Sequence, residues 1–132
     1  MSNSLVFSVP GGLEAGSAAR RAISTGNGWL PDTLRDDILL LVTELVTNAV
    51  VHGQVGPHRS VKVGIHQSPD RVRVEVVDAG PGFHADGPLP GDATGGWGLY
   101  LVERIADRWG VLQAASGSCV WFELESRQPS RA

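Results

Sequence analysis

Residues 39–53 read LLLVTELVTNAVVHG, and the placement of this stretch decides the fold. It is apolar enough for a core helix, yet it carries Glu44, Asn48 and His52 at four-residue spacing. At about 100° per residue, setting Glu44 at zero puts Asn48 about 40° round, Asp37 about 20° and Val51 about −20°. Asp37, Glu44 and Asn48 therefore share one polar stripe. Leu34, Ile38, Leu45 and Ala49 cluster about 100° away, where a sheet would lie. A carboxylate buried alone costs several kcal/mol, so the stripe must face water, a partner or the rim of a cavity. Asn is a mediocre helix former, which favours a task for Asn48. A carboxamide oxygen one turn from a carboxylate suits a hard cation or a positioned water. The helix alone leaves a solvent-facing stripe and a functional wall at about even odds.

Working outward, Pro31 suits a first helical turn, acidic residues follow early and Gly53 suits the end. Upstream, SLVFSVP alternates as a strand and stops at Pro10-Gly11-Gly12. LEAGSAARRAIST, residues 13–25, brings Leu13, Ala19, Ala22 and Ile23 near helical spacing and stops at Gly26. Downstream, SVKVGIHQ and DRVRVEVVDAG alternate with period two around Ser68-Pro69-Asp70, which predicts an antiparallel hairpin. PGFHADGPLPGDATGGWG has no periodicity and reads as a long functional loop. LYLVERIADRWG returns to helical spacing through Leu99, Val102, Ile105 and Ala106, and VLQAAS and SCVWFELE close the chain as two strands. The order β-α-α-β-β-loop-α-β-β predicts an α+β protein. Its expected form is a two-layer α/β sandwich, with a mixed, mostly antiparallel sheet covered on one face by about three helices. A Rossmann fold would need alternating βαβ units.

The chain has 132 residues, 42% of them apolar, which fits a single domain over 1–132 with a frayed tail at 126–132. No apolar run approaches a bilayer span and no leader pattern opens the chain, so a cytoplasmic location is expected. Cys119 is the single cysteine, which excludes an internal disulfide. A net charge of −3 without a Lys/Arg run argues against direct nucleic-acid binding. His58, His66 and His84 lack metal-ligand spacing, Cys119 reads as strand filler, and Trp29, Trp109 and Trp121 read as packing residues. His52 reads as a helix-end residue.

Two glycine motifs complete the pattern. DAGPG, Asp78 to Gly82, follows the apolar strand RVEVV, so a carboxylate at the strand end can point into a pocket while the backbone turns away. An ionised carboxylate accepts hydrogen bonds and suits an exocyclic amine such as that of adenine. TGGWGLYLV leads glycines into a helix start, where free N–H groups favour phosphate. Each motif alone is weak; their order and spacing are specific.

Together ELVTNAVVHG, DAGPG and GGWGLYLV resemble the N-box and the two glycine boxes of the GHKL, or Bergerat-fold, histidine kinase-like ATP-binding domain. The likeness runs from about residue 30 to about residue 125 and is most similar to the bacterial anti-sigma factor serine kinases of actinobacterial stand-alone type. It implies that Asn48 binds the magnesium ion bridging the ATP phosphates and that Glu44 is the catalytic base. Asp78 would accept the adenine amine beside Gly80 and Gly82, and Gly96, Gly98 and Leu99 would bring amides to the phosphates. Ser118 stands where the family has a Thr beside that Asp, and 83–95 would be a lid. The implied partners are ATP or ADP, and an anti-sigma factor antagonist, a sigma factor or both; a homodimer stays open. The first helix, with Arg20 and Arg21, would contribute to partner binding. Trp97 departs from the basic or small residue expected in the second glycine box, and 83–95 offers no Lys or Arg for a γ-phosphate. Kinase and nucleotide-gated binding module therefore both remain as expectations.

Overall fold

The computed structural model describes residues 3–26, 28–53, 58–78, 99–114 and 117–126. In chain order the elements are β1 (Asn3–Pro10), α1 (Ala15–Gly26), α2 (Asp32–Gly53), β2 (Ser60–Ser68), β3 (Arg71–Asp78), α3 (Leu99–Ile105), β4 (Arg108–Ala114) and β5 (Gly117–Glu125). The strands form one open sheet in the order β1-β2-β3-β5-β4. Every neighbouring pair is antiparallel, so the described sheet is antiparallel throughout rather than mixed.

The period-two pattern explains the layering. On β2, β3 and β5 the residues Val61, Val63, Ile65, Val72, Val74, Val76, Val120, Phe122 and Leu124 are all buried on one face. They meet across the strands as Val63↔Val76, Ile65↔Val74, Val74↔Phe122 and Val72↔Leu124. Burying side chains of this size contributes about 1.5–3 kcal/mol each. The core extends into α2 through Ile38, Leu41, Val42, Leu45 and Val46. Leu34, Ile38, Leu45 and Ala49 are buried as their spacing predicts. α1 lies against α2, with Gly16 at the crossing: a Cβ there would stand 2.5 Å from Thr47 Oγ1.

Two boundaries differ from expectation. Leu13 precedes α1 and is exposed instead of joining its apolar face. The third helix ends at Ile105 rather than running to Gly110, so Trp109 and Gly110 lie on β4. Pairing with β5 wins over local helical spacing here. Asp107 N–H donates to the Glu123 carbonyl at 2.9 Å, and Asp107 Oδ2 accepts the Glu125 N–H at 2.7 Å. Trp109 Nε1 also donates to Glu103 Oε1 at 2.7 Å, tying helix to strand.

The outer face of the sheet carries charge. Glu123 is 9% exposed, with Arg73, Arg71 and Arg108 nitrogens at 3.2, 3.4 and 3.5 Å from its carboxylate. Trp121 lies across Gly110, whose Cβ would meet the indole at 2.7 Å, and the Arg73 guanidinium sits 4.2 Å from the indole ring centroid.

Candidate functional site

β3 alternates inward through Val72, Val74 and Val76, and its last residue, Asp78, keeps that phase. The alternation that builds the core thus drives a carboxylate into the layer between sheet and helices. Asp78 is 2% exposed. In register it pairs with Ser118 on β5 and Val61 on β2. Ser118 is 4% exposed, and its Oγ is buried without a hydrogen-bond partner among the described residues. A buried hydroxyl with no partner costs roughly 1–3 kcal/mol, a cost that a ligand can relieve. Arg59 Nη2 approaches Asp78 Oδ1 at 3.4 Å from the segment leading into β2.

α2 packs on the same side of the sheet, against β2 and β3. Glu44 and Asn48 are half-buried on it, and Asp37 lies half-buried on the same stripe. Thr43, the residue before Glu44, donates its hydroxyl back to the Leu39 carbonyl at 2.6 Å. The structure therefore brings Asp78 and Ser118 together and sets Glu44 and Asn48 on the helix that covers their face. Leu99, the first residue of α3, is buried in the core. Gly80, Gly82, Gly96 and Gly98, together with His84, Trp97 and the segment 83–95, lie outside the described residues, as does the tail from 127. The side chain of His52 is also outside them. Arg20 and Arg21 are exposed on α1. His66 sits on the outer face beside Ser4, with Ser4 Oγ and His66 Nδ1 3.1 Å apart.

Burial, and then the charge of Glu75, push the Cys119 thiol above its ordinary pKa, and Arg73 opposes them, so Cys119 is held as a neutral thiol. Among the described residues no group of three or more His, Cys, Asp or Glu side chains could hold a metal.

Arg59 is the residue that motif reading missed. A usable signal existed in the hairpin: counting back from Pro69-Asp70 puts Val61 opposite Asp78, and so sets Arg59 beside the carboxylate.

A family model for the histidine kinase-like ATPase domain matches residues 13–124. The chain belongs to the histidine kinase-like ATPase family. Within it, the domain is of the GHKL, anti-sigma factor kinase-like kind. A relative from Pasteuria penetrans, described as an anti-sigma F factor, is 30% identical over 125 residues, covering 86% of this chain and 83% of that protein. Among solved structures, the RsbU and RsbW domains of Rv1364c from Mycobacterium tuberculosis superpose with a TM-score of 0.69 at 19% identity. That match takes in 98% of this chain and 34% of the solved one, so this chain spans about a third of its length and shares its fold. An ATP-binding role comes with the family, and the orphaned Ser118 hydroxyl beside a buried carboxylate fits the polar edge of a purine. No helix among the described residues is long and apolar enough to cross a membrane.

Proposed function

We propose that this domain binds Mg-ATP and acts as a cytoplasmic regulator of the anti-sigma factor type. In this reading it phosphorylates a serine of an anti-sigma factor antagonist, sequesters a sigma factor, or does both. The observation that carries it is the pairing of buried Asp78 with the orphaned hydroxyl of Ser118, beneath the helix bearing Glu44 and Asn48. Asp78 accepts the adenine amine, and Ser118 supplies a hydroxyl to the same edge of the base. Asn48 offers its carboxamide oxygen to the magnesium ion that neutralises the phosphates. Glu44 takes the proton of the attacking serine hydroxyl, which must be held within hydrogen-bond reach of it. Gly80, Gly82, Gly96 and Gly98 allow the backbone to approach base and phosphates closely. Leu99 marks the helix start whose amides face those phosphates.

A second reading, a nucleotide-gated binding module with little or no transfer, is favoured by one feature. Segment 83–95 contains no Lys or Arg to stabilise charge on a transferring phosphoryl group, and Trp97 stands within the second glycine box. One experiment separates the two. Wild type, Asn48→Ala and Glu44→Gln are titrated with ATP in the presence and absence of Mg²⁺, then incubated with labelled ATP and a candidate antagonist. The kinase reading expects phosphoserine with wild type, Mg²⁺-dependent binding lost in Asn48→Ala, and binding without transfer in Glu44→Gln. ATP binding and partner capture that persist in Glu44→Gln, with no transfer by wild type, give the module. Absence of ATP binding by wild type sinks both.

A further inference from the structure

We propose that the N-terminal half of α2 is the track on which the phosphate-accepting segment docks. It selects an extended serine segment with an apolar residue two positions from the serine and a basic residue four positions away. The proposal rests on the kinase reading, in which Glu44 takes the serine proton. That reading leaves a row of side chains unused. Residues four apart on a helix form a continuous ridge, and Asn48, Glu44, Leu40 and Asp36 make up one such ridge on α2. Leu40 is 39% exposed between the buried Leu39 and Leu41, and Asp36 is exposed one turn before it. Asp37, next to Asp36, is half-buried about 20° round from Glu44. Arg35, the basic residue of α2, turns to Asp32 at 3.6 Å, outside the ridge. The far end of the ridge is therefore acidic.

The order of residues along the ridge says what covers it. Serine Oγ gives its proton to Glu44 and bonds to the γ-phosphorus as the bond from that phosphorus to the ADP oxygen breaks. Attacking and leaving oxygens stand roughly in line, so the acceptor approaches from the side away from ADP. Asn48, assigned to the phosphates, lies on one side of Glu44; Leu40 and Asp36 lie on the other. Ridge neighbours are about 6 Å apart along the helix, four residues at about 1.5 Å each. An extended chain repeats its side-chain direction every two residues, or about 6.6 Å. The two repeats match over three contacts: the serine at Glu44, the second residue at Leu40 and the fourth at Asp36. Apolar then meets apolar at Leu40, and a cation meets Asp36 with Asp37 beside it. Arg20 and Arg21, exposed on the α1 helix that packs against α2, oppose a longer basic run.

The test incubates synthetic serine peptides with labelled ATP and Mg²⁺. One set carries Leu two and Arg four residues before the serine, and a second set carries them after it. Each set also has a form with Asn in place of Leu and a form with Glu in place of Arg. Wild type should prefer the Leu/Arg form of one set, with a KM about tenfold below its Asn form and about threefold below its Glu form. Leu40→Asn should erase the first preference. Asp36→Lys should reverse the second, so that the Glu peptide becomes the better substrate, with ATP affinity within about twofold of wild type. A merely structural role for Asp36 gives no such reversal. Peptides phosphorylated without these preferences, or a preference that persists in its matching variant, overturn the proposal and leave the kinase reading standing. If only a whole antagonist protein is phosphorylated, its KM decides. Wild-type values in folded Leu40→Asn and Asp36→Lys overturn the proposal; a rise of about threefold or more in each, at unchanged kcat, supports it. ATP binding without transfer to any peptide or antagonist removes the kinase reading, and the proposal with it.

Discussion

Asp78 and Glu123 are both buried carboxylates on one sheet, yet they face opposite layers and sit in opposite surroundings. Glu123 lies on the outer face, and Arg71, Arg73 and Arg108 converge on it at 3.2–3.5 Å. Its charge is satisfied by its own strand neighbours, and the cluster is a surface lattice that ties β3, β4 and β5 together. Asp78 lies on the inner face at a strand end, beside a hydroxyl with no hydrogen-bond partner and a cation arriving from outside the sheet. Burial of a carboxylate is common to both, so burial alone does not mark a site. The orphaned hydroxyl at Ser118 is what separates the two and supports the proposed site, because folding leaves it a cost that a bound ligand would remove.

The comparison breaks most sharply at Asp78. Asp78→Asn keeps the shape and removes the charge; ATP affinity should fall about a hundredfold in a calorimetric titration. The equivalent change at Glu123, Glu123→Gln, should leave that affinity within about twofold. Equal losses in the two variants would erase the distinction drawn here.

Stability should show the reverse order. Glu123→Gln leaves three guanidinium groups crowded together, and it should lower the unfolding free energy by about 1–2 kcal/mol in urea. That figure is below the buried-pair range because the arginines are a third to a half exposed and screened by water. Raising salt should shrink the difference.

A smaller effect sharpens the account of the outer face. Gly110 is needed because Trp121 lies flat against it, so Gly110→Ala must lift the indole away from Arg73. A loss of about 1 kcal/mol is expected, with a change in tryptophan fluorescence and no change in nucleotide affinity. An unchanged spectrum and stability would mean that the indole does not rest there.

Much of this was legible in the residues. Period two through RVRVEVVD and SCVWFELE marked strands, and in the structure the last residue of β3 keeps the phase of Val72, Val74 and Val76. Helical spacing through LLLVTELVTNAVVHG and the turn before it assigned Leu34, Ile38, Leu45 and Ala49 to the core, where they are buried, and Glu44 and Asn48 are half-buried. It failed at Trp109 and Gly110, whose local spacing is helical but whose backbone is claimed by β5. Arg59 carries no motif of its own, and only the register of the β2–β3 hairpin says which carboxylate it will meet.

What the sequence by itself determined is the α+β class and most of the set of elements, because periodicity is a local property. What only the tertiary structure decided is the strand order β1-β2-β3-β5-β4, and with it the meeting of Asp78 and Ser118. Those contacts join residues far apart along the chain. The Asp78–Ser118 meeting arises from the pairing of β3 with β5, where Val74 and Val76 find Phe122 and Val120, and from that register the two polar ends fall side by side.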